Sequence, residues 1–112
     1  MDINLNKKIF KAEMNTENGE VSDETRFSYF QKGRMIWADY EGGEIVKGHL
    51  IGHIKGNSLE FVYHHLNKVG EIMTGKCTSF PEITSDHKIR LKEKWQWTSG
   101  DMSEGESTLI EV

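Results

Sequence analysis

One alternating stretch near the end of the chain constrains the fold more than any other part of the sequence. From residue 88 to residue 98, bulky and mainly apolar residues alternate with polar or positively charged ones. Because successive side chains of a β-strand point to opposite faces, this alternation predicts a strand with one buried face. Residues 99–101 have turn chemistry, so residues 88–112 are predicted to form one long β-hairpin. Its buried face would carry Ile89, Leu91, Glu93, Trp95 and Trp97.

Turn signals, most of them built on glycine, divide the rest of the chain into strand-length segments. Because such short connections make consecutive strands antiparallel neighbours, they predict an up-and-down meander, and closing it into a barrel would remove its exposed edges. We therefore predict an all-β fold in which residues 1–112 form a single eight-stranded antiparallel up-and-down barrel. The predicted strands are residues 5–14, 21–30, 34–41, 44–54, 58–66, 71–79, 88–98 and 102–111.

Composition narrows the classes of partner and compartment. The formal net charge is −4 and no basic patch stands out, so we expect no nucleic-acid partner. No apolar run approaches the roughly 20 residues of a membrane span, so we expect no membrane partner. The first residues lack the apolar stretch of a signal peptide. A single cysteine, Cys77, excludes an intrachain disulfide, and together these features predict a cytoplasmic protein.

Loop lengths predict how the strands pair. Two-residue loops at 42–43 and 56–57 and three-residue loops at 31–33, 68–70 and 99–101 are the favoured hairpin types. In this register each interior glycine lies opposite a large ring, as a narrow barrel requires when large and small side chains alternate. The predicted pairs are Gly48 with Trp37, Gly52 with Phe61, Gly75 with Tyr63, and Gly105 with Trp95; the same register places Phe27 opposite Trp37, and Gly48 opposite His65 as well.

The predicted lumen is uneven along its length. One end is apolar, with Tyr29, Met35, Leu50, Ile54, Leu59, Phe61, Cys77, Ile89 and Leu91. Polar groups such as Thr25 and Ser103 gather beside aromatic rings at the other end, with the acidic side chains of Glu20, Glu44, Glu71 and Asp101 on its rim. Buried polar groups are costly unless paired, so this convergence predicts a mouth for a small ligand. The candidate ligand-binding residues are Trp37, Asp39, Tyr63, His65, Glu93, Trp95 and Trp97.

Each candidate also has a purely structural interpretation. Glu93 would be a ligand hydrogen-bond acceptor, or a general acid/base with a pKa raised by apolar surroundings, or a structural partner for a Lys or Arg. His65 would contact the ligand or be a satisfied interior histidine. Asp39 would line the mouth or cap its own turn, and the tryptophans would bind ligand or fill the core.

The histidines and the cysteine predict no further chemistry. His49 and His53 lie about 13 Å apart along a strand, too far to share a metal ion. Across the hairpin, His49 would face His64 and His53 would face Glu60 on the outer surface, as solvated pairs. Cys77 would face the apolar end without a basic neighbour, so nucleophilic use is not expected. We predict neither a metal site nor a cofactor.

The stretch Trp-Gln-Trp-Thr-Ser-Gly-Asp at residues 95–101 resembles a known family, as do residues 42–52 and 70–79. The family consists of small bacterial proteins of this length that often carry the label "N-acetylglutamate synthase". The resemblance covers nearly the whole chain and implies an avidin-like fold, a small barrel of the same general type as the lipocalin barrel. It implies no catalytic residues.

The enzymatic label does not agree with the residues present. Acetyltransferases of the usual acetyl-CoA fold hold the pyrophosphate in a Gln/Arg-x-x-Gly-x-Gly/Ala loop at a helix N-terminus. No Arg or Gln of this chain has glycine three residues later; the residues found there are Tyr29, Arg34, Trp37, Glu93 and Ser99.

Three functional hypotheses follow from the sequence. The leading one is a binding module for a small, partly apolar ligand in the barrel mouth. The second is an enzyme that uses Glu93 with His65 or Asp39 as general acid and base. The third is a structural protein whose outer face forms a homo-oligomer without any ligand. The sequence favours binding over catalysis.

Overall fold

A computed structural model describes residues 3–112 as a closed barrel of eight antiparallel strands. Each strand pairs with the next, and β1 pairs with β8 to close the barrel. The predicted all-β, eight-stranded up-and-down fold is confirmed. The first two residues of the predicted domain lie outside the described residues. The strands are β1 (Lys8–Asn15), β2 (Arg26–Lys32), β3 (Met35–Gly42), β4 (Ile45–Lys55), β5 (Ser58–Asn67), β6 (Ile72–Ile83), β7 (Ile89–Trp97) and β8 (Glu104–Glu111).

Alternating burial along the strands builds one core inside the barrel. In β7 every second residue from Ile89 to Trp97 is buried, as the sequence pattern predicts. The side chains predicted at the apolar end of the lumen are buried, with the exception of Met35, which is exposed. The best-buried members of this apolar end are Leu5, Tyr29, Leu59, Leu91 and Leu109. No helix within residues 3–112 is long and apolar enough to cross a membrane.

The three two-residue hairpin loops have the same turn type. Gly33, Gly43 and Gly56 stand at the first loop position with φ values of 60°, 64° and 61°. A glycine with positive φ at that position is the signature of the type II′ turn, whose twist matches that of the flanking strands. The loop at 56–57 is therefore as predicted, whereas the loops predicted at 31–33 and 42–43 are Gly33-Arg34 and Gly43-Glu44.

These turns correct the orientation of β3. The loop before β3 has two residues rather than three, and Phe27 pairs with Tyr40 instead of Trp37. After β3, an extra residue at Val46 forms a bulge in β4, so that Tyr40 rather than Trp37 pairs with Gly48. Each change exchanges the inward and outward faces of β3 relative to one neighbouring strand. The prediction that Trp37 and Asp39 face the lumen is therefore wrong. The inward residues of β3 are Ile36, Ala38 and Tyr40.

Interior glycines make room for the rings of the barrel. A side chain at Gly52, Gly75 or Gly105 would overlap Phe61, Tyr63 or Trp95, respectively, as the predicted register requires. The loop at 56–57 sets the first of these pairs, and the three-residue loops at 68–70 and 99–101, which set the other two, are also consistent with the strand pairing. At Gly48 an added side chain would overlap the ring of Tyr40 and lie against the Cβ of His65.

We predict that Gly105→Val and Gly48→Val each destabilise the barrel by about 1–3 kcal/mol, because overpacking forces the neighbouring rings to move. Urea denaturation followed by circular dichroism measures the change. Lys94→Thr is the matched control, since Lys94 is exposed on the outer face of β7 and such substitutions usually stay within about 0.5 kcal/mol. A neutral Gly105→Val would contradict the packing of Trp95 against this glycine.

Candidate functional site

A cavity of about 50 Å³ lies inside the barrel at the end opposite the closed apolar one. Polar and aromatic side chains from β1, β2, β3, β5, β7 and β8 converge on it. The residues that line it are Asn15, Gly19, Glu20, Val21, Phe27, Tyr40, Leu50, Phe61, Tyr63, His65, Cys77, Glu93, Trp95, Trp97 and Ser107.

Two tryptophans and a tyrosine form one aromatic wall of the cavity. The ring centroids of Trp95 and Trp97 are 5.4 Å apart, and those of Tyr63 and Trp97 are 5.8 Å apart. Gly75 of β6 pairs with Tyr63 on one side and with Trp97 on the other. Because this glycine has no side chain, the two rings meet across the intervening strand.

Glu93 is buried in the wall of the lumen between two serines, with 8% of its surface exposed. It pairs with Ser79 of β6 and with Ser107 of β8. The Ser107 hydroxyl donates a 3.0 Å hydrogen bond to Glu93 Oε1. Within residues 3–112, Glu93 Oε2 is buried without a hydrogen-bond partner, and no lysine or arginine is buried near it. The structure thus gives no support to a Lys or Arg partner for this carboxyl group.

The surroundings of Glu93 change its protonation. Burial raises the pKa of the carboxyl group to about 7, and the hydroxyls of Ser107, which donates to Oε1, and of Ser79, at the paired position of β6, oppose part of this rise. Near neutral pH both the protonated and the ionised form are therefore populated, and the group can either donate or accept a hydrogen bond.

His65 lies in a polar network at the mouth of the cavity. Its Nδ1 is 2.9 Å from Tyr40 Oη, and its Nε2 is 2.7 Å from Glu20 Oε1. Burial lowers the pKa of His65, although the hydrogen bond to Glu20 opposes this effect, and burial raises the pKa of Tyr40. A neutral imidazole between these partners accepts from the tyrosine hydroxyl and donates from Nε2 to the carboxylate. Asn67 Nδ2 donates to the second oxygen of Glu20 over 3.0 Å.

The connection between β1 and β2, residues 16–25, crosses the mouth and is called the strap below. Trp97 Nε1 donates a 3.0 Å hydrogen bond to the backbone oxygen of Asn18, and Asn18 Nδ2 donates to the backbone oxygen of Glu104 over 2.8 Å. With Glu20 bound to His65, the strap is held by β5, β7 and β8. The part of the predicted second strand at residues 21–25 belongs to this strap.

The structure brings five of the predicted ligand-binding residues together around the cavity: Tyr63, His65, Glu93, Trp95 and Trp97. Their role in binding stays a prediction. The other two lie on the outer face of β3, where Trp37 stacks on Phe30 and Asp39 lies 2.6 Å from His49 Nδ1.

Sequence reasoning missed several lining residues. Tyr40 was missed because β3 carries bulky residues on both faces, so its alternation has two solutions. Glu20 was expected on the rim, whereas its carboxylate turns inward to His65. Asn15 and Phe27 line the cavity as well.

The outer histidines pair as predicted. His49 lies opposite His64, and His53 Nε2 is 3.5 Å from Glu60 Oε2. Within the described part of the chain, no three His, Cys, Asp or Glu side chains are grouped as metal ligands. Cys77 is buried, which raises the pKa of its thiol.

A closed up-and-down barrel with a side-chain-lined cavity at one end belongs to the class of small β-barrels that can enclose a small ligand. The sequence model of the avidin-like protein family matches residues 3–112, and the chain belongs to this family. The barrel is thus consistent with small-ligand binding. Neither the family match nor the structural match supports the label "N-acetylglutamate synthase".

A solved structure gives the same picture of the fold. A crystal structure of apo shwanavidin aligns with 100% of this chain and 98% of that chain, at a TM-score of 0.67 and 10% sequence identity. At this identity the similarity shows the fold alone. No curated protein matches the sequence.

We predict that Glu93→Gln changes the pH dependence of stability. The folded-state pKa of Glu93 is about 7 and the ordinary value is 4.5, so between these pH values only the unfolded state ionises. The free energy of unfolding of the wild-type protein therefore falls as pH rises through this window, by up to about 3 kcal/mol for this residue. Glutamine does not ionise, so the stability of the variant relative to wild type should rise over the same range.

Urea denaturation at several pH values between about 4 and 8 measures this difference. Glu106→Gln is the matched control, because Glu106 is exposed on β8 and its replacement should leave the profile nearly parallel to wild type. A Glu93→Gln profile parallel to wild type would show that burial does not shift this carboxyl group.

Proposed function

We propose that this chain is a binding module for a small, partly apolar ligand that occupies the cavity beneath the strap. The observation that carries the proposal is the contrast between the two ends of the lumen. One end is closed by fully buried side chains, and the other retains a cavity of about 50 Å³ between aromatic walls. Such cavities, lined by rings with a few convergent polar groups, are the usual form of small-molecule sites.

The strap determines how a ligand would enter. It covers the mouth and is held by hydrogen bonds from Trp97, His65 and Asn67. Connecting segments with few buried apolar contacts are the parts of a protein that open at least cost. A ligand larger than the cavity would displace the strap while the barrel stays closed.

The acid–base enzyme is less well supported. The pKa of Glu93, about 7, suits a general acid or base. However, both ring nitrogens of His65 are engaged by Tyr40 and Glu20, and Asp39 lies on the outer surface. Neither proposed partner of Glu93 is thus free to exchange a proton inside the cavity.

We predict that small compounds with one apolar and one hydrogen-bonding part bind to the wild-type chain, as measured by calorimetry. Trp97→Phe should weaken binding about five- to tenfold, because the smaller ring loses contact area with the ligand. Trp37→Phe is the matched control, since it removes the same kind of ring from the outer face, and it should leave the affinity unchanged.

Two outcomes would count against this proposal. One is the absence of any binding compound in a broad panel while circular dichroism shows a folded barrel. The other is an equal loss of affinity in Trp37→Phe and Trp97→Phe. Conversion of a bound compound to product, lost in Glu93→Gln, would favour the enzyme instead.

A second candidate function is supported by the outer surface. Phe30, Trp37, Ile51 and Val62 pair in succession across β2, β3, β4 and β5, which places them in one row on the outside of the barrel. Trp37, Ile51 and Val62 are 38%, 62% and 55% exposed. Because a contiguous apolar patch on a protein surface commonly marks an interface, we propose that a second copy of the chain covers this row in a two-fold homo-oligomer.

We predict that Ile51→Lys shifts the chain to the monomer, since it places a charge in the centre of an isologous contact. Light scattering after size-exclusion chromatography measures the mass. Lys47→Glu, a charge change on the same strand outside the row, serves as the control. A wild-type chain that is monomeric at high concentration would exclude this interface.

A further inference from the structure

We propose that the cavity beneath the strap binds an organic cation, with an ammonium or amidinium group that donates to Glu93 and lies against the aromatic wall. This inference rests on the proposed function and names the chemical class of its ligand. Three features of the cavity support it: its unpaired acceptors, its charge and its rings.

The unpaired polar atoms of the cavity lining are acceptors. Within residues 3–112, Glu93 Oε2 and Asn15 Oδ1 are both buried and form no hydrogen bond; the Ser79 hydroxyl, at the position of β6 that pairs with Glu93, is buried and forms none either. The orientation of the Asn15 amide is fixed, because its Nδ2 donates a 2.8 Å hydrogen bond to the backbone oxygen of Val21. Buried acceptors without donors are costly, so a bound group that supplies N–H donors would stabilise the site.

The charge of the lining is negative. It contains the carboxyl groups of Glu20 and Glu93, and none of its residues is a lysine or arginine. Its histidine does not offset them, since burial lowers the pKa of His65. In a poorly solvated cavity this arrangement attracts a cation and repels an anion. A carboxylate or phosphate ligand would have no positive partner among these residues.

Six aromatic side chains face the cavity, which favours a cation over other donors. They are Phe27, Tyr40, Phe61, Tyr63, Trp95 and Trp97. Faces of tryptophan and tyrosine attract ammonium and amidinium groups, and the attraction grows when the cation is desolvated. The same rings would pack against the apolar part of the ligand.

The volume limits the size of the group. A cavity of about 50 Å³ holds a few heavy atoms, several times the minimum needed for one water molecule. A small alkylammonium fits this description, and a longer substituent would leave the barrel beneath the strap.

Three probes with the same branched four-carbon skeleton test the proposal: isobutylammonium, isobutanol and isobutyrate. Binding is measured by calorimetry or by NMR chemical shifts at about pH 8, where the Glu93 carboxyl group, with a pKa of about 7, is mainly ionised. We expect the ammonium to bind about tenfold more tightly than the alcohol, and the carboxylate not to bind measurably.

Two variants assign the preference to Glu93. Glu93→Gln keeps the size of the side chain and removes its charge, so it should abolish the preference for the ammonium over the alcohol. Glu106→Gln removes an exposed carboxylate from the outside of the barrel and should change neither affinity.

The outcomes separate this inference from the proposed function. If the alcohol or the carboxylate binds as tightly as the ammonium, or if Glu93→Gln retains the preference, the cation inference is overturned and the binding module stands. If none of the three probes binds and a broad compound panel also fails, both proposals are overturned.

Discussion

The interior of this barrel is narrow, and several of the large aromatic side chains inside it pack against a glycine in a neighbouring strand. Gly75 lies between Tyr63 and Trp97, Gly105 lies against Trp95, and Gly48 lies against Tyr40. An added side chain at any of these glycines would overlap a ring, because a closed barrel cannot move its strands apart. Since the same rings line the cavity, the glycines that permit the fold also determine the shape of the site.

The sequence predicted the fold class and the inward faces of six strands correctly, and β3 shows why the face assigned to it was wrong. Two separate errors affected this strand: a loop that was one residue too long before it, and a missed bulge at Val46 after it. Each error exchanges the two faces of one strand relative to its neighbour. Together the two errors exchanged the faces of β3 and left the faces of the neighbouring strands as predicted. The sequence did not reveal that the wrong face of β3 had been assigned to the lumen, because β3 has aromatic residues on both faces.

A more exact use of turn chemistry would have found part of this correction. Gly33 and Gly43 each precede a residue that completes a type II′ turn, which is the pattern already recognised at Gly56. The bulge has no comparable signal, since Val46 and Lys47 are both compatible with an exposed strand. The position of the strap could not be predicted from local sequence patterns either. Its contacts join residues that are 45 to 86 positions apart in sequence, as in the pairs Glu20–His65 and Asn18–Glu104.

The position of Glu93 connects the stability of the barrel with its proposed use. A rise of the carboxyl pKa from 4.5 to about 7 corresponds to about 3 kcal/mol of unfavourable interaction for the ionised form. An apolar residue between Ser79 and Ser107 would avoid this cost, as well-packed apolar replacements of buried charges often do. Groups with strongly shifted pKa values in clefts are concentrated at functional sites, and the carboxyl group of Glu93 lies in the wall of the cavity. A barrel that served only as a scaffold would gain stability by losing this carboxyl group, whereas a barrel that binds a donor ligand would retain it because the ligand satisfies the unpaired oxygen.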